Sequence, residues 1–211
     1  MDIEKWKIKN RDGKKYTHFD YKVSLDRVWD YISDPKKVEK HGFYPMIHYT
    51  LLTRKYNKNK GITEKEREIC YSAHIDRFIF KYYGFKLNQV YNEKVIKDNI
   101  NNSAIAYRDN LYKNNIHFAK QAIDFIRETK NCIIIIGDFK SFFDRLKHRY
   151  LKEMLCDLLR VERLPDDYYA VFKNITKYST WDLESLLFLN GLENNKKGVS
   201  EFNKLPVALP V

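Results

Sequence analysis

Four consecutive isoleucines, residues 133–136, run into Gly137 and Asp138 within NCIIIIGDFKSFFDRL, residues 131–146. Few folds satisfy such a run. Side chains of a strand alternate between two faces, so an unbroken β-branched run predicts a strand over residues 131–138 that is covered on both sides. An aspartate inside that strand would meet a large desolvation cost, whereas one just past its end is held firmly yet reaches solvent. Gly137 lets a backbone or ligand come close. The placement suits a ligand for a hard cation such as Mg²⁺, which takes carboxylate oxygens together with substrate phosphates.

Asp138 has competing roles. It can cap the helix that follows. A phosphoaspartate nucleophile of the haloacid-dehalogenase type would want a second acid two residues on, and Lys140 stands there instead.

The rest of the chain alternates between the two periodicities. Residues 46–56 are rich in β-formers and end in the polar turn NKNKG, after which residues 65–73 complete a hairpin whose loop carries Lys58, Lys60 and Lys65. From His74 the period becomes helical, with Ile75, Phe78, Ile79, Tyr82 and Leu87 recurring through about residue 90. Residues 24–33 read as a short helix capped by Ser24. Residues 115–127 form an amphipathic helix whose Phe118, Ala122, Phe125 and Ile126 are expected in the core. Further helices follow over residues 146–159 and from Pro165, where Asp166 and Asp167 complement the helix dipole. The expected class is α+β, with antiparallel strands and packed helices. Residues 1–40 form an N-terminal helical extension, 41–130 a second region and 131–211 a third.

Composition narrows the partners. The 211 residues carry a net charge of +11 with 15% aromatic residues, so a folded chain with a polyanionic partner is expected, nucleic acid before anionic membrane. Basic residues interleave with tyrosine in RKYNKNK and KYYGFK, which suits phosphate contact and base stacking. Cys70, Cys132 and Cys156 are odd in number and scattered, which fits a reduced compartment. Cys70 and His74 are spaced for a metal but are only two ligands. No stretch approaches the ~20 apolar residues of a membrane span, and the charged start has no apolar signal core. A cytoplasmic location without a membrane partner is the expectation.

IIIIGDFKSFFDRLKHRYL resembles motif A of bacterial reverse transcriptases, including group II intron, retron and defence-associated enzymes. That pattern is an apolar strand, Asp, a short variable step, Phe-Phe-Asp, an apolar residue, then His before Leu. KEREICYSAHIDRFIFKYYGFKLNQVYN (65–92) resembles the fingers segment, and SAIAYR (103–108) with NIHFAKQAIDFI (115–126) resembles the approach to the palm. The likeness covers roughly residues 40–160, and HGFYPMI (41–47) leans toward retron or antiviral-defence members. It implies right-hand polymerase fingers (41–130) and an incomplete palm (131–211). It also implies RNA-directed DNA polymerase activity: two Mg²⁺ ions, an RNA template, a DNA primer and incoming deoxynucleoside triphosphates. Asp138 and the Phe139 backbone carbonyl would ligate metal. Phe143 would be the steric gate that selects deoxynucleotides, and Lys65 and Arg67 would hold the triphosphate. Lys58, Lys60 and Arg77 are candidate nucleic-acid contacts.

The chain departs from that family in one respect. The Tyr-x-Asp-Asp hairpin that completes the metal box does not occur, and the closing LPVALPV resembles the beginning of motif B. The expectation is therefore an incomplete enzyme, inactive alone, whose remaining palm and thumb come from further sequence or from a partner chain. The alternative is a non-catalytic nucleic-acid-binding module with a degenerate polymerase fold.

Overall fold

The computed structural model describes every residue except Met1, Lys14, Lys15, Lys60, Lys140, Ser141, Phe143, Asp144, Pro210 and Val211. The fold is α+β, with nine helices and one three-stranded sheet among the described residues. Two units are distinguished, residues 2–85 with 165–211, and residues 86–164.

In the first unit, β1 (Met46–Asn57) and β2 (Gly61–Tyr71) pair antiparallel from Ile47↔Tyr71 out to Asn57↔Gly61. The tight return needs a residue that accepts positive φ, and Gly61 supplies it at +69°. The short β3 (Thr180–Asp182) lies parallel to the start of β1, giving the order β2-β1-β3. Only the base of the hairpin is covered. From Thr50 to Asn57 and from Gly61 to Glu68 the described residues are exposed on both faces.

Ile47 anchors that base in a core with Leu186 and Leu187 of α8 (Leu183–Leu189), Phe202 of α9 (Lys196–Phe202) and Ala208. Both short helices are capped by side chains, Asp182 accepting from the Ser185 amide and Asn195 from the Gly198 amide. A second cluster is aromatic. Trp6 of α1 (Ile3–Asn10) lies 6.4 Å from Trp29 of α2 (Leu25–Ile32), 5.9 Å from Tyr82 and 5.4 Å from Phe85. Ser24 does stand at the N-cap of α2, but its side chain makes no capping bond.

The helix α4 runs His74–Lys97, so its first half belongs to the first unit and its second half to the other. Its opening amides are satisfied by a residue distant in sequence. Asp20 accepts from the His74 amide (3.0 Å) and the Ile75 amide (2.9 Å). Near the same end, buried Asp76 accepts from His41 Nε2 (2.7 Å) and the Tyr44 amide (2.9 Å). Tyr83 donates its hydroxyl to Asp167 at 2.6 Å in α7 (Asp166–Thr176). Asp166 and Asp167 do open that helix, with Pro165 at its N-cap, and Asp167 is buried as an acceptor.

In the second unit, α5 (Asn115–Thr129) begins with a reciprocal cap between Asn114 and His117, and α6 spans His148–Leu159. Arg108 is buried and joins the loop after α4 to its helix, donating to Asn92 Oδ1 (2.9 Å), the Asn101 carbonyl (3.1 Å) and the Ala104 carbonyl (3.1 Å).

Two expectations are corrected here. Residues 131–138 form no strand. Ile133, Ile135 and Ile136 are 92%, 90% and 91% exposed. A two-faced apolar strand needs neighbours along its edges and cover on both faces, and the described residues supply none at this segment. The apolar stripe of α5 is likewise not core: Phe118 and Ile126 are half-buried, while Ala122 and Phe125 are exposed. Amphipathic periodicity reports a face that can be covered, and nothing among the described residues buries this one.

Candidate nucleic-acid and metal-binding residues

The hairpin separates charge by strand parity. Directly opposed residues of an antiparallel pair share a face, and successive residues alternate. One face therefore carries Ile47–Tyr71, Tyr49–Ile69, Leu51–Arg67, Thr53–Lys65 and Lys55–Thr63. The other carries His48–Cys70, Thr50–Glu68, Leu52–Glu66, Arg54–Glu64 and Tyr56–Ile62. Every acid of β2 falls on the second face, where Arg54 Nε meets Glu64 at 2.8 Å, Thr50 donates to Glu68 at 3.0 Å, and His48 meets Glu68. The first face holds Lys55, Lys65 and Arg67 exposed, with no carboxylate partner among the described residues. Exposed ion pairs contribute only about 0.2–1 kcal/mol each, so the segregation matters more for what each face attracts than for stability.

The strict run Glu64-Lys65-Glu66-Arg67-Glu68 carries this arrangement in the sequence itself, because alternating charge on a strand sorts onto opposite faces. Lys58 lies in the turn between the strands and is exposed, whereas Lys60 is outside the described residues. Arg77 sits differently. In the first turn of α4 its guanidinium lies 4.4 Å over the Phe78 ring, and its Nε and one terminal nitrogen are buried without a hydrogen-bond partner among the described residues.

The basic face continues into a cavity of about 670 Å³ at the hairpin base. Tyr49, Leu51, Ile69 and Tyr71 of the hairpin line it together with Val199 and Phe202 of α9, and Tyr16 and the exposed Lys196 also contribute. Tyr16 is fixed on two sides, donating its hydroxyl to the Ser72 carbonyl at 2.9 Å and stacking on His74 at 4.4 Å. Burial pushes the Tyr16 phenol up to about 12 and raises the Tyr71 phenol as well, so both rings stay neutral across the ordinary pH range. These tyrosines were not among the residues singled out from the sequence. Their signal lies in spacing, since Tyr49, Leu51, Ile69 and Tyr71 share a parity with the cations.

Beside the cavity a buried polar cluster locks the chain that carries Tyr16. Asp20 accepts from His74 Nδ1 at 2.8 Å. Burial works to raise the Asp20 carboxyl, but the His74 ring and the two α4 amides outweigh it and hold the group below its usual range. His18 is fully buried; its Nδ1 accepts from the Phe19 amide at 2.8 Å and its Nε2 faces the Tyr71 carbonyl at 3.3 Å. Burial brings its imidazole down to about 4.

In the other unit, Asp138 is exposed and forms no hydrogen bond or ion pair with a described residue. Phe139 is 81% exposed, and a Cβ at Gly137 would meet nothing within 4 Å, so these two flanking residues leave the side of Asp138 uncovered among the described residues. Phe143 lies outside the described residues. Asp138 with substrate phosphates fits the ligand set of one Mg²⁺ ion. It does not by itself fit a pair of ions, and no group of three or more His, Cys, Asp or Glu that could hold a metal occurs among the described residues. Cys70 and His74 form no such site either: Cys70 is the penultimate residue of β2, and the His74 ring is bonded to Asp20. No helix among the described residues is long and apolar enough to cross a membrane.

No family model matches this chain, and no curated protein matches its sequence.

Proposed function

We propose that the chain is the nucleic-acid-binding, amino-terminal portion of an RNA-directed DNA polymerase of the bacterial reverse-transcriptase kind. In this reading residues 41–130 act as fingers, residues 131–211 as part of a palm, and Asp138 as one carboxylate of the metal site. The observation that carries the reading is the state of Asp138. An acid that follows an apolar run, stays exposed and has no protein partner among the described residues is available to an ion and a phosphate. The order of the motif-A-like stretch after a hairpin bearing Lys65 and Arg67 supports it.

The division of labour follows from the side chains. Lys65 and Arg67 bind and orient phosphates from the cationic face of the hairpin. Asp138, with the Phe139 carbonyl, holds Mg²⁺, which when bound offsets phosphate charge. A pair of ions needs more acid than Asp138 supplies, so the isolated chain binds but does not polymerise. A role in antiviral defence belongs to this proposal through the retron-like flavour of the sequence alone.

A second reading, a binding module without catalysis, is favoured by the absence, among the described residues, of any group of three or more His, Cys, Asp or Glu that could hold a metal. Both readings require nucleic-acid binding that weakens steeply with salt. The test is fluorescence anisotropy with a labelled oligonucleotide between 50 and about 200 mM salt, run beside a template-dependent incorporation assay. Salt-sensitive binding without incorporation is expected. Incorporation by the isolated chain refutes the incomplete-site account, and salt-independent binding refutes both readings.

A further inference from the structure

We propose that the cavity at the hairpin base is a pocket for an unpaired nucleobase of single-stranded nucleic acid, whose backbone continues along the cationic face of β1 and β2. This rests on the nucleic-acid role proposed above but not on Asp138 or on metal.

Continuity carries the argument. Leu51 lines the cavity and is the direct cross-strand partner of Arg67, and Thr53–Lys65 is the next pair on that same face. Opposed Cβ atoms lie about 5 Å apart and same-face neighbours along a strand about 7 Å. A strand with a base inside the cavity therefore has phosphate within reach of Arg67 and then of Lys65. The acids sit on the opposite face, so a polyanion meets attraction on one side of the hairpin and repulsion on the other.

The cavity's chemistry fits a base. Its volume of about 670 Å³ lies in the range of small-ligand sites. Tyrosine rings at Tyr16, Tyr49 and Tyr71 offer π-faces that accept any base, and exposed Lys196 supplies a further cation at the lining. An apolar peptide would use the walls but not the cations, and a free phosphate would use the cations but not the walls. A nucleotide within a strand uses both.

The test compares (dT)12 with a twelve-residue abasic strand, which keeps the phosphates and lacks the bases. Wild-type protein is expected to bind (dT)12 roughly 5- to 100-fold more tightly. Tyr49→Leu, which keeps the cavity apolar without a ring, should bring (dT)12 toward the abasic level and leave the abasic affinity and the salt slope unchanged. Its urea midpoint by tryptophan fluorescence reports whether the fold survives. In a background with the exposed Ile133 and Ile135 replaced by serine, the apolar dye ANS bound in the cavity should be displaced by (dT)12. Equal affinity for the two strands, or equal weakening of both by Tyr49→Leu, overturns the pocket while leaving phosphate binding intact. ANS retained at saturating (dT)12 assigns the cavity to an apolar ligand or protein segment and overturns it too. Failure of both strands to bind at low salt removes the nucleic-acid role along with the pocket.

Discussion

Lowering the pH from 7 to 5 should destabilise the first unit through His18. Its Nδ1 accepts from the Phe19 amide, so protonation there sets two donors against each other in a site without solvent. Burial is the larger cause, and together they favour the neutral ring, about 4 in the fold against 6.5 in the open chain. Because the folded value is the lower one, the unfolded chain binds more protons between those limits. Stability is full above 6.5 and falls as pH drops toward 4. Linkage gives a loss of about 2 kcal/mol between pH 7 and pH 5, approaching about 3 kcal/mol below pH 4. Trp6, Trp29 and Trp181 all belong to the unit that holds His18, so tryptophan fluorescence in urea reads that unit. Wild-type protein should lose about 2 kcal/mol over this interval, and His18→Gln should lose much less, whatever its own cost at pH 7. Equal pH 7-to-5 losses in the two proteins would refute the reasoning.

Other perturbations follow from the same geometry. Tyr83→Phe removes a hydrogen bond to the buried Asp167 carboxylate and should cost about 1–3 kcal/mol in a urea melt. Gly13→Ala should destabilise, because its Cβ would lie 2.7 Å from the Val23 carbonyl oxygen; thermal melting reads this directly. Arg67→Ala should reduce the slope of oligonucleotide affinity against salt by about 1, and Glu66→Ala on the opposite face should not lower affinity. Replacing exposed Ile133 and Ile135 with serine should change stability by less than about 0.5 kcal/mol, as a urea melt would show, and should lower ANS binding.

Local signals survived into the fold where the local sequence was sufficient. β-formers on either side of NKNKG make the hairpin, and helical spacing from His74 makes α4. The alternation through residues 64–68 even fixes which hairpin face is cationic. Signals that depend on distant partners did not. Four isoleucines specify burial on both faces only if something covers them, and here they are exposed. The cap on α4 comes from Asp20, and the acceptor for Tyr83 from Asp167, pairings that no local pattern announces. The apolar cavity was invisible for the same reason, because its walls come from β1, β2, α9 and the segment holding Tyr16. Asp138 was marked by the sequence as a candidate metal ligand, and the fold leaves its side chain exposed.

The most direct test of the central claim is equilibrium binding of dTTP to the chain with and without Mg²⁺, in wild-type protein and in Asp138→Ala. Asp138 is exposed and without a described partner, so the substitution should leave the fold and oligonucleotide affinity unchanged. The account predicts Mg²⁺-dependent dTTP binding that weakens at least about tenfold in Asp138→Ala, the scale of a lost charge contact near 1.4 kcal/mol. Binding of dTTP that is identical in the two proteins, or indifferent to Mg²⁺, would contradict it.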